Sequence, residues 1–120
     1  MSHAAQAYSR AAQSTSSPRE IEAQALLKAA RKLQAAAAQG ASSETIDDAL
    51  VFNRKLWSIF VTEAMRDDNP QPVETRQKVA NIGTFVLSQS AALQVLPEQA
   101  KFQSLIDINC NIAAGLAGRA

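Results

Sequence analysis

Aromatic side chains are scarce in this chain: one tryptophan, one tyrosine and four phenylalanines, 5% of 120 residues. A single cysteine, Cys110, permits no internal disulfide, and with a single histidine, His3, no zinc-type ligand set can be assembled. There is no glycine-rich phosphate loop and no serine in a nucleophile elbow. No apolar run is long enough to span a bilayer, and the N-terminal MSHAAQAYSR lacks the apolar core of a signal peptide, so the chain reads as cytoplasmic, without membrane insertion. Twelve basic against eleven acidic residues leave a net charge of +1. That balance cannot neutralise a run of phosphates, which argues against direct nucleic-acid binding. Nowhere do apolar and polar residues alternate at the period of a strand.

What the chain does have is alanine and helical periodicity. Alanine supplies much of the 47% apolar content, and it suits helix surfaces and close helix contacts. The length fits one domain with one core. Residues 3–14 form a weak alanine-rich segment with Tyr8 as its large anchor; residues 1–16 are expected to fray or to pack separately. A helix start follows at Ser17, with Pro18 in its first position and Glu20 completing a capping box. This helix is expected to run to Gln39 and stop at Gly40, with Leu26, Ala29, Leu33 and Ala36/Ala37 on one face.

Ser42 or Ser43 caps the next helix. Ile46, Leu50, Asn53, Trp57, Phe60 and Ala64 recur in it at spacings of four and three, beside a second stripe of Ala49, Phe52, Leu56 and Ile59. Two stripes over more than half the circumference predict the central helix of the fold, with Trp57 buried against the last two helices. RDDNPQP ends it. A third helix carries Val79, Ile82, Val86 and Leu93, flanked by Phe85 and Leu96. Its internal Gly83 costs about 1 kcal/mol relative to alanine, and close approach of a neighbouring helix explains it. After Pro97 a last helix turns Phe102, Leu105, Ile112 and Leu116 inward, with Gly115 and Gly118 at its end. The fold class is all-α, a small bundle of about four to five helices.

Catalysis has no candidate residues, and neither a cofactor nor a metal is implied. His3 has no companion ligand, and Cys110, on the edge of an apolar face, has no base to activate it and reads as a packed thiol. Asp47–Asp48 and Asp67–Asp68 fit a helix start and a turn. The chain is not expected to be an enzyme. Two asparagines stand apart. Asn53 lies on the face of Leu50, Trp57 and Phe60, and Asn109 lies between Leu105 and Ile112. A buried amide without partners costs about 1–3 kcal/mol, so each is expected to bond to another helix, or the two to one another. Either they fix helix register, as buried asparagines do in coiled coils, or they line a groove that receives a partner's backbone.

NRKLWSIF, the DNPQP turn, IGTFVL and LIDINCNIAAGL, with weaker agreement in AYSRAAQ and PREIEAQALLKAARKL, resemble the FlaF family of flagellar biosynthesis regulators. The likeness runs through nearly the whole chain as one domain, 1–120. Its signature positions are Asn53, Arg54, Leu56, Trp57, Phe60, Asn109, Ile112, Gly115 and Leu116; Cys110 departs from the polar residue expected there. The resemblance implies a small cytoplasmic helical protein that promotes flagellin production or export, opposes the repressor FlbT, and binds flagellin in a chaperone-like manner. Flagellin termini are amphipathic helices, which a bundle can receive in an apolar groove. The expected floor is Phe52, Leu56 and Ile59, with Arg54 on the flank for a partner carboxylate. The alternatives are a post-transcriptional regulator acting on flagellin messenger or FlbT, through Arg54 and Lys55 if RNA is touched, and an adaptor of the export apparatus.

Overall fold

The computed structural model describes residues 18–118. Over that span the chain forms four helices: α1 (Pro18–Ala37), α2 (Ser43–Ala64), α3 (Val73–Val95) and α4 (Gln99–Leu116). The expected segment 3–14 with Tyr8, and the Ser17 cap, lie outside the described residues.

The turns follow from local chemistry. α1 ends two residues before the expected Gln39, and Gly40 adopts φ +79°, a left-handed conformation that glycine enters without steric cost. Ser42 is the cap of α2, its hydroxyl accepting from the Thr45 N–H at 3.1 Å. At the other end of α2, Asn69 Nδ2 donates to the Glu63 carbonyl at 2.7 Å while its Oδ1 accepts from the Gln71 N–H at 2.8 Å. Arg76, reaching back from α3, donates to the Arg66 carbonyl at 2.9 Å. The DNPQP turn thus ties the carbonyls that α2 leaves free to the first turn of α3.

Successive helices run antiparallel. α1 packs on α2 and more extensively on α4; α2 packs on α3. Gln99 Nε2 donates to the Ala38 carbonyl at 2.8 Å, which sets the start of α4 beside the end of α1. Pro18, the end of α2, the start of α3 and the end of α4 therefore share one end of the bundle. α2 is central as its two stripes predict: it packs on α1 and α3, and its side chains bond to α4.

The core joins Leu26 and Leu33 of α1, Leu50 and Trp57 of α2, Val86 and Leu93 of α3, and Phe102 and Leu105 of α4, all at most 1% exposed. Phase differs from expectation in two helices. In α4 the deepest positions are Phe102, Leu105, Ile106, Asn109 and Ala113, while Ile112 and Leu116 are half-buried. The reason is that α4 faces α1, which rotates its Ile112 side outward. In α3 the buried line includes the small residues Ala80, Gly83 and Ser90. A Cβ on Gly83 would overlap Val61 Cγ2 and come within 3.5 Å of Trp57 Cε3, so the glycine does serve close approach to α2. Val79 and Ile82 are only half-buried, and Phe85 is 47% exposed.

Candidate functional site

Asn53 and Asn109 meet in the middle of the bundle, both fully buried. Trp57 Nε1 donates to Asn109 Oδ1 at 2.9 Å, and Asn109 Nδ2 donates to Asn53 Oδ1 at 2.7 Å. The indole N–H can only donate, so it fixes the orientation of Asn109, which in turn requires the Asn53 oxygen to accept. One chain of bonds thereby sets α4 against α2 in both register and rotation. Asn53 Nδ2 is buried and has no hydrogen-bond partner. Phe60 meets the Trp57 ring edge to face at 5.4 Å between centroids, and is itself half-buried rather than committed to the deepest core. The amide beside the one tryptophan thus has a structural reason: the indole N–H needs an acceptor, and the two asparagines link it across helices.

The other signature and candidate residues are distributed as follows. Arg54, half-buried, donates through Nη1 to Gln94 Oε1 of α3. Phe52 is half-buried on the α1 side of α2, with Lys28 Nζ and Lys32 Nζ at 5.4 Å and 5.3 Å from its ring centroid. Leu56 is half-buried against the core, and Ile59 is 58% exposed. These three share a face of α2, but its three side chains differ in accessibility. Gly115 lies within α4 with no neighbour in the space a Cβ would take, and Gly118, at φ +74°, follows the helix end. Cys110 is half-buried at the core's margin.

Sequence reasoning missed the seam between α3 and α4. These two helices are neighbours in the ring, yet α3 is held by α2 and α4 by α1, and little packing joins them. Between them lies a groove of about 430 Å³ lined by Ile82 and Phe85 of α3 and Ile108 and Ile112 of α4, with Asn81 and Asn111 at its edges. That volume admits one or two large side chains from an incoming element rather than a whole helix. The signal was present in part: Phe85 flanks the buried line of α3, and Ile108 and Ile112 are spaced by four on α4. A further depression, between α1 and α2, is lined by Lys32, Ala35, Glu44, Thr45 and Asp48, and its Lys32 Nζ is already engaged by Asp48 Oδ2 at 2.6 Å.

Among the described residues, four antiparallel helices with a polar relay at the centre and an apolar seam between α3 and α4 define a small all-α bundle. Among the described residues no helix is long and apolar enough to cross a membrane. The flagellar protein FlaF family matches residues 4–116, and the chain belongs to that family. No curated protein and no solved structure matches it.

Proposed function

We propose that this flagellar protein is a flagellin-binding chaperone of the cytoplasm, which promotes flagellin production or export by holding an amphipathic terminal helix of flagellin. Binding is its whole chemistry, with no catalytic step and no cofactor. The observation that carries the reading is the α3–α4 seam, where Ile82, Phe85, Ile108 and Ile112 form a concave apolar strip between amide-bearing edges. One or two large apolar side chains on one face of a partner helix, spaced by three or four, suit such a strip, and the edge amides suit its polar flanks. The α2 face of Phe52, Leu56 and Ile59 is the other apolar surface in contention. The seam is favoured because it is concave, whereas Phe52 already lies beneath two lysine ammonium groups.

Direct contact with messenger RNA is disfavoured. Arg54 is already held by Gln94, and the net charge of +1 supplies no phosphate-binding face. The test is co-purification with purified flagellin, FlbT and export components offered separately. Flagellin retained in a complex insensitive to salt supports the proposal. Retention of FlbT or an export component without flagellin, or a salt-sensitive RNA complex, overturns it.

A further inference from the structure

We infer that the partner helix held in the α3–α4 seam crosses α4 at Gly115 and lays its backbone against that glycine, which makes Gly115 the residue that selects a small side chain on the partner. This deepens the assignment of the seam as the flagellin site and rests on it.

Gly115 lies inside α4 (Gln99–Leu116), where a glycine is less favourable than any residue but proline. Two roles would account for it within the chain, and it fills neither. It is not a glycine of positive φ: the left-handed position that closes α4 belongs to Gly118, at φ +74°, whose N–H donates to the Gly115 carbonyl at 3.1 Å. Nor does Gly115 admit a neighbouring helix. A Cβ on Gly83 would overlap Val61, whereas a Cβ on Gly115 would have nothing within 4 Å among the described residues, apart from its own turn of helix. That open space is on the seam side of α4. Gly115 follows Ile108, Asn111 and Ile112 at spacings of seven, four and three, so the four share one face. It sits about 4.5 Å along the helix axis from Ile112.

The charge around the seam limits what can come there. α3 has no charged residue from Val79 to Pro97, and α4 has none from Ile108 to Gly118, in a chain of which 19% is charged. An acidic or basic helix face would lose its water and find no counter-charge, so the contacting face of the partner is uncharged. The groove takes one or two large side chains and no more of the helix. A large side chain lodged between Ile82, Phe85, Ile108 and Ile112 anchors a helix running along the seam, and the next turn of that helix falls over Gly115. With no Cβ on α4 the two backbones meet there, provided the partner carries glycine, alanine or serine at that turn. The partner is therefore a helix with a large apolar residue and a small one, spaced by three or four, on an uncharged face.

Gly115→Ala in the full chain tests this through two readouts of opposite sign. Unfolding in urea should shift to a higher midpoint, by about 0.3 M, because the methyl meets nothing in the free protein and alanine favours helix. Fluorescence anisotropy with a labelled peptide of a flagellin terminal helix should show binding at least about tenfold weaker, because the same methyl holds the partner off. A lower midpoint overturns the inference, since a neighbour within the chain would then occupy the space. So does peptide affinity within about twofold of the parent while Phe85→Ala/Ile112→Ala weakens it; the seam would remain the site, without close approach at Gly115. If neither variant alters binding, the peptide does not use the seam, and the inference falls together with that reading. A parent chain that self-associates, with Gly115→Ala abolishing the association and leaving peptide affinity unchanged, assigns the close approach to a second copy and overturns it as well.

Discussion

Replacing Gly83 with alanine separates close helix packing from an incidental glycine. In a helix whose surface is open, this change stabilises by about 1 kcal/mol, through propensity alone. Here the added Cβ would overlap Val61 Cγ2 and lie 3.5 Å from Trp57 Cε3. Val61 is β-branched and strongly prefers one χ1 rotamer in a helix, so turning the methyl away costs about 0.5–1.5 kcal/mol. Displacing α3 instead would pull it off Trp57. Overpacking of this kind costs about 1–3 kcal/mol in total. Against the propensity gain, the net expectation is a loss of about 1 kcal/mol. Urea unfolding followed by Trp57 fluorescence reads it as a lower midpoint at unchanged slope. Adding Val61→Ala removes the offending methyl and leaves the Val61 Cβ position at 3.7 Å, an ordinary contact. The double variant therefore recovers stability relative to Gly83→Ala, with a coupling of at least about 1 kcal/mol. If Gly83→Ala instead stabilises the protein and shows no coupling to position 61, the α2–α3 contact described above is wrong.

Asn109→Ala leaves both the Trp57 N–H and the Asn53 carbonyl oxygen buried without a partner, and is expected to cost about 2–4 kcal/mol in the same unfolding assay. Trp57→Phe removes the donor and leaves the Asn109 oxygen unmatched, so combining it with Asn109→Ala should cost clearly less than the sum of the two, with urea unfolding of all three variants followed by circular dichroism because Trp57 is the one tryptophan. Additive losses would show that the relay does not exist. Glu22 has its carboxyl pKa raised, first by desolvation, then with Arg19 opposing and Glu63 adding to the shift. The folded state therefore binds this proton more tightly than the unfolded state, so ionising Glu22 destabilises the fold. Glu22→Gln should be more stable than the parent at neutral pH, with the advantage shrinking as pH falls towards 4.5; an advantage that grows on acidification would reverse the sign assigned to this group.

Helix number, the centrality of α2 and the burial of Trp57, Asn53 and Asn109 were legible because each is a matter of period along one helix. Gly83 was legible for a related reason, since an internal glycine in an otherwise good helix needs a packing cause. The third member of the polar relay was missed, although the indole of Trp57 is a donor that cannot be buried alone. Which helices pair was legible only for α2, whose Trp57 was expected against the last two helices; the pairing of α1 with α4 was not. Amphipathicity says that α4 has an apolar face but not that the face turns to α1, which carries Ile106 and Ala113 inwards and moves Ile112 to the margin. The same ambiguity hid the seam. The buried line of α3 is partly built of Ala80, Gly83 and Ser90, so its larger residues Ile82 and Phe85 fall to the side that α4 does not close.

Flagellin affinity of two double variants tests the binding account most directly. Fluorescence anisotropy with a labelled peptide of a flagellin terminal helix would compare Phe85→Ala/Ile112→Ala with Phe52→Ala/Ile59→Ala, after circular dichroism has shown both to be folded. Truncating an aromatic anchor in an apolar site costs about 2 kcal/mol, so the seam variant should bind roughly 30-fold more weakly than the parent. The α2 variant should bind within about twofold of it. Unchanged affinity in the seam variant, with the loss falling on Phe52 and Ile59, would move the flagellin site to α2 and contradict the seam as the binding surface.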